Sequence, residues 1–441
     1  MLDSLQDYAD QALSHYKIPA VSLALWQDGH LATAASGVLN LNTGVSATPD
    51  ALFQIGSITK VLTTSLVMQL VDEGRVELDR PIRHYMPDFL VADEAASAEI
   101  TVAQLLNHTN GIDGDFFPRT DTGDKAIEEL LGMSGSLPFL FDPGTNYSYN
   151  NIGFSALGRV IEVIDQRSFD VSLRKRIFAP LDMDHALSRP EDNLRFRAAV
   201  GHLPDPKHPD QLIVPKVVYL TIGHKAAGST PAMTASDLLN YAAVHKNKGV
   251  GLNGNRILSA RSVREMQKPQ VTCKDRDWPW QVGQPWRLAK WGAVKIYGHP
   301  GGTVGQGSDL TICNEKDIAV VCLTNGGNAA EFSRTVVSHV FKSVKVNMFK
   351  PPMPAKKISA KPEVLVGRFR NVAVTVDITD ENGTLMMAAT PSGFAGIKAG
   401  SEIGFVNPRL AIANKMAIEM GGKPGQPCDW IRIGGRMLLR V

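Results

Sequence analysis

One stretch constrains this chain more than any other. Gln54-Ile55-Gly56-Ser57-Ile58-Thr59-Lys60 runs into the mostly apolar segment Val61 to Val71, which Asp72-Glu73-Gly74 closes. The pattern predicts a helix from about Ser57 to Gly74, with glycine at the position after the C-cap. It is apolar around most of its circumference, so it should lie at the centre of the protein. Ser57 and Lys60 are three residues apart and share one face of its first turn. A serine needs help to become a nucleophile at neutral pH, and a neighbouring amine of lowered pKa can take its proton. The positive end of the helix favours negative charge developing at Ser57. A Ser-x-x-Lys match is weak by itself, since a chain of this length should hold on the order of one or two by chance. Ser172-Leu173-Arg174-Lys175 is such a match, and its basic, amphipathic context reads as the exposed face of a surface helix. Lys60 differs because a lysine in a buried helix is costly unless it is used.

Composition narrows the class without naming a chemistry. The 441 residues allow two or three domains. A net charge of +2 gives no reason to expect nucleic acid or an anionic membrane as partner. No apolar run reaches the length of a membrane span, and the N-terminal residues lack the basic and apolar regions of an export signal. Cys273, Cys313, Cys322 and Cys428 have no Cys-x-x-Cys spacing, and the 11 histidines form no zinc pattern. A facing pair of Cys313 and Cys322 across a hairpin is one reading; buried free thiols in a reducing cytosol are the preferred one. The expectation is a cytoplasmic protein with no metal and no cofactor. Nothing in the sequence sets its oligomeric state.

Along the chain, Leu2, Leu5, Ala9, Ala12, Leu13 and Tyr16 repeat at helical spacing, and Pro19 ends that helix. Val21 to Trp26 and Leu31 to Ser36 read as a hairpin about Gln27-Asp28-Gly29-His30. Helix, hairpin and buried helix together predict an α+β fold, helices packed on an antiparallel sheet. Residues 75–180 read as mainly helical, with Thr101 capping a helix that Asn110-Gly111 stops. His108 on it reads as structural. Tyr147-Ser148-Tyr149-Asn150-Asn151 precedes a helix from Ile152 to about Val163, a place where polar groups can face a cleft. Residues 185–225 carry no readable element and form an excursion beside that cleft. Trp278, Trp280, Trp286 and Trp291 read first as core packing, and second as an aromatic wall for an apolar substrate. Ile296-Tyr297-Gly298-His299-Pro300-Gly301-Gly302 precedes two strands, Asp309 to Cys313 and Ile318 to Thr324. Its glycines allow close backbone approach to a ligand. Residues 1–349 form one expected domain, 350–362 a Pro/Lys linker, and 363–441 a small all-β domain.

Three of these elements, Ser57-x-x-Lys60, Tyr149-x-Asn151 and His299-x-Gly301, occur in the order that marks the serine β-lactamase and penicillin-binding-protein superfamily. The chain resembles that superfamily from about residue 5 to 345, and most of all its class C branch, which includes esterases, D-aminopeptidases and acyltransferases. Asp79-Arg80-Pro81-Ile82, Leu105 to Gly111, Pro143-Gly144-Thr145 and Leu323-Thr324-Asn325 are also similar to segments of the family. The tail from about Glu363 is similar to the lipocalin-like β-barrel that some members carry.

The resemblance implies an acyl-enzyme at Ser57, with Lys60 and Tyr149 sharing the role of general base. Tyr149 is then expected to have a depressed pKa beside the lysine. Asn151 would hold a substrate amide or carbonyl, and the backbone N–H groups of Ser57 and Gly302 would form an oxyanion hole. His299 replaces the lysine of the antibiotic-active members, and Pro300 a hydroxyl residue, so a permanent cation is missing where a β-lactam carboxylate would bind. The substrate expected is a small ester or amide. Ester hydrolysis ranks first, D-amino-acid or modified-peptide hydrolysis second, and acyl transfer in a biosynthetic pathway third. A catalytically silent, ligand- or partner-binding homologue is the alternative of another class.

Overall fold

Strand alternation organises the larger part of the molecule. In β1 (Ala20–Gln27), Ala20 and Ala24 point into one core while Val21, Leu23 and Leu25 point into another. Such a strand must be covered on both faces. The computed structural model describes residues 4–120, 123–274, 279–348, 362–391, 400–413, 416–423 and 426–441. The other strands of this sheet are β2 (His30–Asn40), β3 (Val45–Ser46), β4 (Val271–Lys274), β5 (Pro279–Val282), β6 (Arg287–Trp291), β7 (Val294–Gly302), β8 (Gly307–Cys313) and β9 (Ile318–Thr324). Their order is β3-β2-β1-β9-β8-β7-β6-β5-β4, and neighbours are antiparallel. Helices α1 (Leu5–His15) and α6 (Ala329–Ser343) cover one face through Leu5, Ala9, Phe332, Val336 and Val340. The other face carries α2 (Thr59–Asp72), α4 (Ile152–Asp165) and α5 (Ala235–Lys246).

Helix α2 is buried along Thr59–Leu70. A 3-10 turn, Gly56–Ile58, precedes it, and Gly74 follows at φ +71°. The short helix α3 (Val102–Leu106) has the expected cap: Thr101 and Gln104 form a reciprocal capping box. It stops earlier than Gly111, and His108 takes the left-handed conformation at φ +63°.

One expectation needs correction, and two second readings give way to the preferred ones. Ser172 is not exposed; it is buried and donates to Asp165 Oδ2 at 3.1 Å, while Lys175 faces solvent. Cys313 and Cys322 do not face each other, because the register sets Cys313 against Ile318 and Cys322 against Asp309; all four cysteines are buried thiols outside any disulfide, as the preferred reading had it. The described tryptophans Trp280, Trp286 and Trp291 are buried in core packing, the first reading, and do not form one wall. Trp286 packs on His245 and Tyr297, Trp291 packs on Phe341 on the opposite face of the sheet, and Trp280 packs on Tyr147. Trp278 and most of the expected linker lie outside the described residues.

A closed barrel of eight strands follows, β10 (Gly367–Arg370), β11 (Thr375–Glu381), β12 (Thr384–Thr390), β13 (Ser401–Asn407), β14 (Leu410–Ala413), β15 (Met416–Gly421), β16 (Trp430–Ile433) and β17 (Arg436–Arg440). Phe369, Val376, Ile418, Ile431 and Leu438 fill it, and closure leaves no unpaired edge. The β16–β17 hairpin turns on Gly434-Gly435, at φ +56° and +79°. A two-residue turn with both residues left-handed selects glycine. This turn docks on the larger part: Gly435 O accepts from Tyr149 N at 2.8 Å, and Met437 N donates to Ser148 Oγ at 3.1 Å. On the same side, Val372 N donates to Asp113 Oδ2 at 2.7 Å.

Candidate active site

The site forms where the start of α2 meets the end of β7. A Cβ on Gly56 would sit 2.5 Å from Gly302 N, and one on Gly301 would sit 2.0 Å from Ile55 O. Two backbones that close leave room only for glycine. Ser308 Oγ closes the junction by donating to Ile55 O at 2.7 Å. The Gly301-Gly302 strand end therefore lies against the residues that carry Ser57.

Lys60 has no exposed surface. Its Nζ is 2.7 Å from Asn151 Oδ1, 2.7 Å from Ala227 O and 3.3 Å from Ser57 Oγ. Burial drives its pKa well below the usual lysine range, against the pull of Asp115 and with help from the charge of Arg436. Two of its three neighbours are carbonyl oxygens that only accept. A neutral amine can give its two hydrogens to them and turn its lone pair to the Ser57 hydroxyl, which then donates. Ala227 belongs to a 3-10 turn, Ile222–Ala227, at the end of the 185–225 excursion.

Tyr149 lies beside this amine, its ring centroid 4.7 Å from Lys60 Nζ. Its Oη is buried and makes no hydrogen bond of good geometry with a described residue. Burial pushes its pKa up to about 12, although the adjacent Ser57 hydroxyl and the charges of Arg436 and Arg287 pull it down. The expected depressed pKa is therefore corrected: desolvation outweighs the nearby positive charges, and Tyr149 rests as a phenol.

Asn151 is engaged from both ends. Its Oδ1 accepts from Lys60, and its Nδ2 donates to Asp115 Oδ1 at 2.6 Å. Asp115 in turn is ion-paired with Arg436 of β17, whose guanidinium lies 4.8 Å from the Tyr149 ring centroid. A polar train thus runs from the barrel to the nucleophile: Arg436, Asp115, Asn151, Lys60, Ser57. His108 supports it from behind; its Nδ1 accepts from Asn150 N at 3.1 Å and its ring packs on Tyr149.

His299 is buried, with its ring 6.3 Å from that of Tyr149. Nδ1 is 2.6 Å from Pro300 O, and because a carbonyl only accepts, Nδ1 carries the proton. Burial and the charge of Arg287 hold its pKa well below the usual value, so the ring is neutral at neutral pH. Among the described residues no cluster of His, Cys, Asp and Glu could hold a metal ion, and no helix is long and apolar enough to cross a membrane.

All seven residues expected at the site, Ser57, Lys60, Tyr149, Asn151, His299, Gly301 and Gly302, come together. Sequence reasoning missed Asp115, Ala227, Arg287 and Arg436. No short-range pattern marks them. The nearest signal was Gly434-Gly435 flanked by apolar residues, which marks a hairpin but not where it docks.

A family model described as Beta-lactamase matches residues 5–338. Penicillin-binding protein 4 of Amycolatopsis lactamdurans is 35% identical over 369 residues, which cover 81% of this chain and 95% of that protein. Unguisins hydrolase ungD' of Aspergillus campestris is 26% identical over 75% of this chain and 64% of its own length. In fold, the chain is similar to the crystal structure of SurE, with a TM-score of 0.79 and 22% identity over 100% of this chain and 99% of that one. It is also similar to D-amino acid amidase from Ochrobactrum anthropi SV3, with a TM-score of 0.64 and 24% identity over 78% of this chain and 99% of that one. The match across residues 5–338 and the 35% identity show that this chain belongs to the beta-lactamase family.

Proposed function

We propose that this chain is a serine hydrolase of the class C type that forms an acyl-enzyme at Ser57 with a small ester or amide. The observation that carries this reading is Lys60: fully buried, within reach of Ser57 Oγ, and shifted towards the neutral amine. Lys60 takes the Ser57 proton as Oγ attacks the substrate carbonyl. The N–H groups of Ser57 and Gly302 stabilise the oxyanion. The proton then passes to the leaving group, and water repeats the sequence to release the acid. Asn151 orients Lys60 in this scheme rather than only holding substrate.

Tyr149 favours amides alongside esters. A leaving amine must be protonated to depart, whereas an alkoxide or phenoxide leaves more readily. A phenol with its pKa near 12, placed beside Ser57, can donate that proton and recover it from Lys60. This weakens the ranking that sets esters first.

In this reading residues 1–349 are the hydrolase domain, 350–362 a linker and 363–441 a β-barrel that completes the site. Four buried cysteines that form no disulfide suit a reducing, cytoplasmic compartment. The test is intact-mass spectrometry after a fluorophosphonate or an activated ester. One adduct on the Ser57 peptide, absent in Ser57→Ala, supports the proposal. No adduct, together with no turnover across a panel of esters and amides, would favour the catalytically silent homologue.

A further inference from the structure

His224 is a buried, ionisable side chain that the acyl-transfer scheme leaves unused. It lies in the 3-10 turn Ile222–Ala227, and its ring is hydrogen-bonded at both nitrogens. Nε2 is 2.7 Å from Phe116 O, and because a carbonyl only accepts, Nε2 carries the proton. Nδ1 then accepts from Ser155 Oγ of α4, 2.9 Å away. Burial brings the pKa of the ring down to about 4, so at neutral pH it is uncharged and keeps both bonds.

The turn joins two parts of the site. Towards one end it fastens residues 115–120, which belong to no helix or strand and need partners from elsewhere for their buried backbone groups. Besides the bond from His224, Thr221 Oγ1 donates to Pro118 O at 2.8 Å and Gly223 N to Thr120 Oγ1 at 3.0 Å. At the other end Ala226 O accepts from Thr63 Oγ1 and Ala227 O from Lys60 Nζ, both at 2.7 Å. A Cβ on Gly228 would sit 2.1 Å from Gly56 O, so the chain leaves the turn pressed against the residue before Ser57. One tightly packed turn therefore reaches from Lys60 to Phe116, the residue after Asp115.

We propose that His224 is a positioning residue for acyl transfer: by holding Phe116 O it keeps the Asp115 carboxylate on Asn151, and through Asn151 it keeps the Lys60 amine on Ser57. This rests on the acyl-enzyme reading and adds to it a residue that acts through Asp115 rather than on the reacting atoms. The titratable and charged groups that face Lys60 are Asp115, Arg436 of β17, Tyr149 ahead of α4, His108 after α3, His299 of β7 and His224 itself. Burial keeps the three histidines uncharged and Tyr149 a phenol at neutral pH, so Asp115 and Arg436 dominate. With Phe116 O released, the carboxylate drifts from Asn151, its pull on the ammonium weakens, and the Lys60 pKa falls.

The experiment is the kcat/KM–pH profile of 4-nitrophenyl acetate hydrolysis in the wild type, His224→Asn, His224→Gln, Asp115→Asn and the double variant of His224→Asn with Asp115→Asn. Both replacements of His224 carry an amide, but only glutamine is long enough to donate where Nε2 does. His224→Asn should lower kcat about tenfold, change KM by less than about twofold, and move the acid limb to lower pH, the direction of Asp115→Asn. His224→Gln should restore the limb and most of kcat. The double variant should move the limb no further than Asp115→Asn alone, since both act through one carboxylate. Circular dichroism checks folding; if His224→Asn does not fold, Thr221→Val, which takes the bond to Pro118 O from the same segment, must move the limb the same way. A limb unmoved in the folded variant, glutamine no better than asparagine, or displacements that add in the double variant would overturn the proposal. Fluorophosphonate labelling of wild-type Ser57 separates the two ideas: labelling with an unmoved limb refutes only the role of His224, and absent labelling refutes the acyl-enzyme reading.

Discussion

Arg436→Met and Asp115→Asn should displace the acid limb of the kcat/KM–pH profile in opposite directions. Lys60 acts as a base only when neutral, so activity rises as pH passes its pKa. Arg436 lowers that pKa and Asp115 raises it. One amide separates the lysine from the carboxylate, with hydrogen bonds of 2.7 and 2.6 Å on its two sides. At about 7 Å and an effective dielectric of about 20, a unit charge is worth roughly 2 kcal/mol to the ammonium, several times thermal energy. In Arg436→Met the carboxylate is unopposed, the ammonium is favoured, and the limb moves to higher pH; activity lost at neutral pH returns in alkali. In Asp115→Asn the arginine is unopposed and the limb moves to lower pH. The assay is hydrolysis of 4-nitrophenyl acetate, an uncharged ester, from pH 5 to 10, with circular dichroism to confirm folding. Removing one partner of a fully buried pair costs about 3–5 kcal/mol; the cost here should be smaller, because 26% of the Arg436 side chain stays exposed. Displacement in the same direction, or none with both variants folded, would refute the polar train as an electrostatic control of Lys60.

Ser57→Ala should abolish both turnover and the covalent adduct, and an adduct mapped to Ser172 would refute the assignment. Lys60→Ala and Tyr149→Phe should each lower kcat by on the order of 10²-fold or more, and the double variant by less than the product, as expected for one proton-transfer unit; near-normal kcat in Tyr149→Phe would remove it from that unit. Asp113→Asn should stabilise the fold at pH 8, read as a higher Tm. Burial raises the Asp113 pKa from 3.8 to about 6, so the folded state holds the proton more tightly than the unfolded chain, and stability falls as pH rises through that window. Asparagine keeps an acceptor for Val372 N without the buried charge, so the gain should be on the order of 2 kcal/mol at pH 8 and vanish below pH 4; an equal Tm difference at both pH values would contradict it.

Local chemistry made much of this protein legible from its residues alone. Ser57 and Lys60 share a face because the helical period is a property of the backbone, and the apolar run after them could only be a buried helix. The capping box at Thr101, the central strands and the small β-domain follow equally local rules. The order of the three motifs was enough to bring seven site residues together. Tertiary structure alone decided the rest. Arg436 and Asp115 are 321 positions apart and meet because a glycine turn of the barrel docks beside Tyr149. Arg287 is an ordinary strand arginine until its guanidinium is seen to stack on the indole ring of Trp280. The direction of the Tyr149 pKa, the neutrality of His299 and the burial of Ser172 depend on how much water packing removes from each group. Desolvation depends on which segments surround a side chain, and for these residues those segments come from distant parts of the chain.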